Sequence, residues 1–218
     1  MQANLYLAYT KCEDFIQHLK IDTCSILGVD QDFLDQCLQN MLPTLDLGKN
    51  FIVVPRKILF VDSNSVENCI NSSKRLAVGC IPLDIASARR LAKVRRVLSV
   101  VMTPKSIRYV DEQQINFMVQ SPSRKYVEIH LHPFIAEVVE EVLSVDIEKE
   151  FYFLGEIIDR ALKKDVGVVI SSASPSLRET LLITHIDLIL FAIGFSKRER
   201  RLMLELYPRE FVYNWLKQ

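Results

Sequence analysis

Short apolar runs alternate with stretches of helical periodicity along most of this chain. The runs are rich in β-branched residues and recur about every 20 residues, which is typical of strands separated by helices. The predicted strands are Asn4–Ala8, Asp22–Leu27, Phe51–Val54, Ile58–Val61, Leu76–Ile81, Val97–Met102, Ile115–Val119, Tyr126–His132 and Val168–Ile170. Between them, apolar residues fall on one stripe of a helix, as Phe33, Leu34 and Cys37 do.

This alternation predicts the fold class. Strand–helix units in such number form a closed parallel barrel more readily than an open sheet, and no linker or low-complexity segment interrupts them. We therefore predict an α/β protein whose TIM-like (β/α) barrel occupies residues 1–218 as a single domain. An open, doubly wound sheet is the alternative.

The C-terminal part of the chain has the clearest local pattern. The β-branched run Val168–Ile170 predicts a buried strand, and Ser176 with Glu179 forms a capping box that predicts the start of an apolar, buried helix. Gly194 suits the left-handed residue that ends such a helix. The pattern leaves Arg178 as the polar residue of a strand-to-helix loop.

The overall charge restricts how the chain could bind nucleic acid. It has 27 basic and 27 acidic residues and a formal net charge of zero, so bulk electrostatics cannot bind RNA and a local patch would be needed. The five cysteines are widely spaced without a Cys-x-x-Cys pair, which favours reduced core thiols. Because neither a signal peptide nor a long apolar run is visible, we expect a cytoplasmic protein without a membrane span.

Basic residues are concentrated in two clusters. Their members are Arg89, Arg90, Lys93, Arg95 and Arg96 in the first and Lys197, Arg198, Arg200 and Arg201 in the second. Ser196 and Glu199 form a capping box, so the second cluster should lie in the first turns of a helix, where cations oppose the helix dipole. Arg124 and Lys125 add a basic pair in a turn. Such cations can contact RNA phosphates without reading sequence; the alternative is a solvated surface.

One polar group could hold a metal ion. Strand alternation places Glu128, His130 and His132 on one face, and a carboxylate beside a His-x-His pair resembles a three-ligand metal site. However, the only other histidines are His18 and His185, and the first strand has no His-x-His. We therefore expect a hydrogen-bonded polar barrel interior and no metal on the protein.

Several segments resemble a known family. They are Val168–Ala173, Leu177–Arg178, Ala192–Ser196 with Glu199, and Tyr207–Pro208, with weaker similarity in Arg96–Val101 and Val127–Pro133. Together they are similar to ribonuclease P protein component 3, a family of archaea and eukaryotes, over roughly the last 120 residues.

The resemblance implies a PHP-like barrel that serves as a non-catalytic protein subunit of ribonuclease P, the ribonucleoprotein that removes the 5′ leader from precursor tRNA. It implies that the RNA subunit binds the catalytic magnesium and the protein no cofactor. The implied partners are ribonuclease P RNA, precursor tRNA and another small protein subunit, in a heterotetramer. The residues expected to contact RNA are Arg178, Arg89, Arg90, Arg95, Arg96, Lys197, Arg198, Arg201 and Arg124. A metal-dependent phosphoesterase on a PHP-like barrel is the alternative function.

Overall fold

A computed structural model of the protein describes residues 2–41, 51–140 and 147–218, and its centre is one sheet of seven parallel strands. The strands follow each other in sequence order and are β1 (Ala3–Leu7), β2 (Ile26–Asp30), β3 (Ile52–Val61), β4 (Ala77–Pro82), β5 (Ser99–Met102), β6 (Tyr126–His130) and β7 (Gly167–Ser171). Because neighbours in sequence are also neighbours in the sheet, the sheet curls in one direction.

Helices connect the strands and cover the outside of the sheet. The first seven are α1 (Cys12–Ile21), α2 (Gln31–Met41), α3 (Val66–Ser72), α4 (Ile85–Lys93), α5 (Glu112–Val119), α6 (Leu131–Glu140) and α7 (Ile147–Lys163). The last three, α8 (Ile183–Ile193), α9 (Lys197–Arg201) and α10 (Tyr207–Leu216), follow β7. No helix within the described ranges is long and apolar enough to cross a membrane.

The first and last strands meet at one end of the sheet. The Ala173 N–H donates to the carbonyl oxygen of Tyr6 at 2.9 Å, and the Ala8 N–H donates to that of Ser174 at 3.1 Å. Both bonds lie at the C-terminal ends of β1 and β7. The sheet is therefore a nearly closed barrel, which confirms the predicted TIM-like fold against an open sheet.

The last helices cover the opposite end of the barrel, where the strands begin. A π-helical turn, Leu202–Leu206, joins α9 to α10. On α10, Tyr207 and Phe211 pack with apolar residues near the starts of the strands, such as Ala3 and Tyr126. The Asn214 side chain donates to the Tyr126 hydroxyl at 2.8 Å. Helix α10 thus closes the N-terminal end of the barrel.

The predicted boundaries of these last helices are confirmed. Gly194 ends α8 with a φ of 111°, a left-handed conformation that glycine adopts without strain. The Ser196 N–H donates to Glu199 Oε2 at 2.7 Å, and the Glu199 N–H donates to the Ser196 hydroxyl at 3.4 Å, which completes the second capping box. Pro208 lies in the first turn of α10.

One predicted strand is wrong, and two others are parts of a single strand. Residues 115–119 belong to α5, where Ile115 and Met118 are buried at helical spacing and Asp111 caps the helix through the Gln114 N–H at 2.9 Å. The two segments around Pro55 form one strand, β3. Its first half pairs with β2 as far as Arg56, and its second half pairs with β4 from Arg56 onward. The described residues therefore contain seven strands, where the sequence predicted eight or nine.

The helix after β7 also differs from its prediction. Ser176 makes no capping bond, residues Leu177–Glu179 form a 3-10 turn, and α8 starts only at Ile183. Helix α8 is not buried on all sides, because Leu188 is 64% and Phe191 is 61% exposed.

The cysteines correct another expectation. Cys12 forms a disulfide with Cys37, with Cα atoms 5.5 Å apart, and Cys69 lies next to Cys80, with Cα atoms 6.6 Å apart. Cys24 is a buried free thiol, as expected.

Candidate nucleic-acid interface

A buried ion pair lies inside the barrel, beneath the C-terminal end where a barrel enzyme holds its active site. The Arg56 guanidinium donates to Glu128 Oε2 at 2.5 Å, and both side chains are fully buried. Glu128 Oε1 also contacts the Ser171 hydroxyl and His130 Nε2, each at 3.3 Å. The Tyr6 ring stacks on the His130 ring at 4.9 Å. The predicted hydrogen-bonded polar interior is confirmed for Glu128 and His130.

Two tightly packed glycines lie beside this arginine. A Cβ atom at Gly28 would clash with the Leu5 carbonyl oxygen at 1.8 Å and lie 3.0 Å from Arg56 Cγ, and one at Gly79 would lie 2.6 Å from Ile58 Cδ1 and 3.1 Å from Arg56 Nη2. The Phe211 ring of α10 covers the guanidinium at 4.8 Å. The Arg56 guanidinium therefore lies between Glu128 on one side and the Phe211 ring of α10 on the other, where it makes a cation–π contact.

The environment of Glu128 fixes its charge. Burial alone would raise the pKa of this carboxyl, but the Arg56 cation and the contact with His130 lower it to about 2. Glu128 is therefore ionised, and Arg56 already compensates its charge. Binding of a metal ion to this carboxylate would require the buried guanidinium to move away.

His132 does not join this group. Helix α6 begins at Leu131, so His132 leaves the strand, and its Nε2 lies 3.2 Å from Glu179 Oε2. Among the described residues, no group of three or more histidine, cysteine or carboxylate side chains could bind a metal.

The loop after β7 presents Arg178 at the C-terminal end of the barrel. Several contacts fix this loop: the Tyr9 and Thr180 hydroxyls lie 2.5 Å apart, and the Leu177 N–H donates to Asp14 at 3.3 Å. Tyr9 in turn contacts buried His18 at 3.0 Å. Arg178 is exposed and makes no ion pair with another described residue. The loop is rigidly anchored, and its arginine is available to a ligand.

The structure divides the first basic cluster. Arg89 donates to Asp111 at 2.6 Å and to Gln114 at 3.1 Å, and Arg90 donates to the Ser63 carbonyl at 2.8 Å, so both arginines join neighbouring elements of the fold. Arg95 and Arg96 lie beyond α4, in the loop that enters β5, and both are exposed. Arg95 and Arg96 are therefore exposed and could contact RNA as predicted, whereas Arg89 and Arg90 bind other parts of the protein.

In the second cluster, too, some cations are exposed and others have an ion-pair partner, and Arg124 is paired as well. Lys197 and Arg198 are exposed, whereas Arg201 lies 3.5 Å from Glu205 of the same helical segment. Arg124 donates to both carboxylate oxygens of Asp165, at 2.7 Å and 3.0 Å, and lies 3.7 Å from Glu210 of α10. Arg124 therefore has a structural role, since it joins the loop before β7 to the C-terminal helix.

Three exposed cations lie outside the predicted RNA contacts. Lys74 and Arg75 lie in the loop that enters β4, and Lys164 lies in the loop that enters β7. In the sequence, a basic pair precedes each strand from β4 to β7 by a few residues. This pattern is visible only once the positions of the strands are known.

Comparisons with known proteins support the fold and leave the family open. No family model matches this sequence, and no curated protein matches it. Among solved structures, one chain of the cryo-EM structure of an archaeal ribonuclease P with mature tRNA is similar, with a TM-score of 0.71. The alignment covers 99% of this chain and 90% of that one at 9% sequence identity, so it establishes a shared fold.

Proposed function

We propose that this chain is a non-catalytic protein subunit of a ribonuclease P, the ribonucleoprotein that removes the 5′ leader from precursor tRNA. The observation that carries the proposal is the similarity of nearly the whole chain to a chain of an archaeal ribonuclease P, with a TM-score of 0.71. The resemblance of its C-terminal segments to ribonuclease P protein component 3 points to the same assembly. Its expected compartment is the cytoplasm.

The non-catalytic role is supported by the barrel interior. Catalysis on a PHP-like barrel needs metal ligands, but Glu128 is neutralised by Arg56 and His132 pairs with Glu179. A phosphoesterase would require the arginine to leave its buried carboxylate, which costs several kcal/mol. In the proposed complex, the RNA subunit supplies catalysis with its own magnesium ions.

A second protein subunit is also part of the proposal. A groove of about 670 Å³ lies between α7 and α8, and its lining includes Phe151, Tyr152 and Ile189. Beside it, Leu188 and Phe191 are strongly exposed. Apolar surface of this kind supports a protein–protein contact on this side of the barrel.

The test begins with the native complex. The chain, tagged at one terminus, is recovered from its own cells at low salt, and the associated RNA is sequenced and assayed for cleavage of precursor tRNA at the 5′ leader. The proposal expects one structured RNA and magnesium-dependent cleavage that a nuclease abolishes. A preparation without RNA, or cleavage that survives nuclease treatment, would contradict it.

Arg178 provides a local test of the same function. A guanidinium can hold a phosphate with two parallel hydrogen bonds, which lysine cannot reproduce. Because Arg178 is exposed and has no ion-pair partner among the described residues, Arg178→Ala should leave the melting temperature unchanged and impair cleavage by the reconstituted complex. A variant that unfolds would indicate a structural role for Arg178 instead, and a folded variant with full activity would remove Arg178 from the interface.

A further inference from the structure

We propose that the end of the barrel where the strands begin is the principal RNA-docking surface, and that it binds a helical RNA segment through its phosphates. The N-terminal basic face, as we call it, consists of Lys74, Arg75, Arg95, Arg96 and Lys164. The inference rests on the proposed function and adds where the RNA lies.

The topology places these cations side by side. In a parallel barrel all loops that enter strands lie at one end, and β4 to β7 are consecutive neighbours in the sheet. Their registers align Gly79 with Ser99, Ser99 with Tyr126, and Tyr126 with Gly167, so the strands start near one level. Basic residues precede each of these strands, and the loops therefore present them along one arc of the barrel rim.

A buried lysine positions the central pair. Lys125 is only 2% exposed, and its ammonium donates to the carbonyl oxygens of Val94 and Val97, which flank Arg95 and Arg96. The Ser123 hydroxyl donates to the Arg95 carbonyl at 2.7 Å. The side chains of Lys125 and Ser123 thus fix the backbone of this loop from the protein interior, while the Arg95 and Arg96 side chains remain exposed.

Carboxylates at this end do not neutralise the face. Asp165 and Glu210 both pair with Arg124, and Glu205 pairs with Arg201. The five cations of the face make no ion pair with any residue in the described ranges. Their positive charge is therefore available to a polyanion.

Helix α10 extends the same positive surface. Its contact with Arg124 fixes it beside the loop that enters β6. Arg209 is exposed on its outer side, and Lys217 lies 4.1 Å from the centre of the Tyr213 ring. The added charge lies next to the rim loops, so one RNA helix can contact both.

The opposite end has the wrong charge for RNA. The C-terminal ends of the strands and the segments that follow them carry the acidic residues Asp30, Asp32, Asp62, Asp84, Asp111 and Glu179, of which Asp32 and Asp111 pair with Lys57 and Arg89. The Ser65 hydroxyl on Asp62 and the Ser87 N–H on Asp84 hold the pKa of each carboxyl below its usual value, so both are ionised near neutral pH. The described cations at this end, which include Lys11, Lys105, Arg108 and Arg178, lie in segments that also carry carboxylates, so they form no continuous positive surface.

The chemistry of the face favours an RNA helix over a single strand. Single-strand sites combine cations with aromatic platforms on which bases stack, whereas the described rim loops present lysine and arginine without exposed aromatic rings. The exposed Tyr213 ring on α10 is contacted by the Lys217 ammonium at 4.1 Å. Contacts of this kind recognise the phosphate backbone and the shape of a helix.

The test compares equal charge changes at the two ends of the barrel. One variant carries Arg75→Gln, Arg95→Gln and Arg96→Gln; its matched control carries Lys11→Gln, Lys105→Gln and Arg108→Gln at the opposite end. Each tagged chain is recovered with its RNA, and retention of the RNA is followed as the KCl concentration rises. Melting temperatures establish that both variants are folded.

The expected result is a slope of log affinity against log salt that is flatter by about 2–3 units in the first variant and unchanged in the control. A wild-type slope in the first variant, or an equal loss in the control, overturns the inference while the proposed function stands. Absence of RNA from the wild-type complex would instead reject the proposed function.

Discussion

The two ends of this barrel differ in chemistry, and the difference indicates how the fold is used. The C-terminal end, where barrel enzymes bind substrate, opens on acidic loops above the buried Arg56–Glu128 ion pair. The N-terminal end, which usually serves stability alone, is closed by Phe211 and surrounded by exposed cations. A buried ion pair thus lies beneath the C-terminal end, whereas the N-terminal end carries the surface that suits a polyanion.

The largest expected effect comes from breaking the ion pair under the C-terminal end. Glu128→Ala leaves the Arg56 guanidinium buried without its carboxylate, and the free energy of unfolding should fall by about 3–5 kcal/mol in urea denaturation. The control is the double change Arg56→Met with Glu128→Leu, which removes both charges and should cost much less. A loss below about 1 kcal/mol for Glu128→Ala would mean that water reaches the interior.

At the N-terminal end, the corresponding test measures how the free energy of unfolding changes with pH because of Lys125. Burial lowers the pKa of this ammonium to about 7, whereas an unfolded chain has a lysine pKa of about 10.4. Between these values the unfolded chain binds more protons, so folding stability should rise with pH. The difference in unfolding free energy between wild type and Lys125→Met should therefore grow in favour of wild type by about 2 kcal/mol from pH 7 to pH 9.

Taking this difference cancels the contribution of other groups, including Cys24, whose thiol pKa is raised by burial. Lys164→Met is the matched control, because Lys164 is exposed at the same end. Equal pH profiles for wild type and Lys125→Met would show that the ammonium is solvated and does not hold the Arg95–Arg96 loop.

A smaller effect is expected in the loop that closes the barrel at its C-terminal end. Ala173 has a φ of 54°, a left-handed conformation that costs a residue with a Cβ about 1–2 kcal/mol. Ala173→Gly removes that strain but adds chain entropy to the unfolded state, so a net gain of about 0.5 kcal/mol is expected in thermal unfolding. Ala77→Gly is the control, because Ala77 lies in a strand with ordinary φ, and this variant should be less stable than wild type. A similar loss of stability for Ala173→Gly would show that Ala173 is not strained.

The barrel was predictable because its signals are local. Alternating runs such as Val168–Ile170 and caps such as Ser196 with Glu199 act within a few residues. Residues 115–119 were misassigned because a short apolar run fits a strand or a buried helix equally well, and only the Asp111 cap and helical packing decide between them.

The interface was less predictable, because proximity in sequence does not imply a common surface. Arg90 and Arg95 are close in sequence, yet Arg90 bonds to a loop at the C-terminal end while Arg95 lies at the other end. Arg56 gave no sequence signal at all, since its burial depends on Gly28, Gly79 and Phe211 meeting it from other elements. Such contacts are long-range and arise only once the barrel has closed.

Lysine footprinting on the native complex tests the central claim most directly. Exposed lysines are methylated by formaldehyde and borohydride before and after nuclease treatment and are quantified by mass spectrometry. Lys74 and Lys164, at the N-terminal end, should be protected in the complex and reactive once the RNA is removed. Lys11 and Lys105, at the C-terminal end, should react equally in both states. Nuclease-sensitive protection of Lys11 and Lys105, with Lys74 and Lys164 always reactive, would contradict the account.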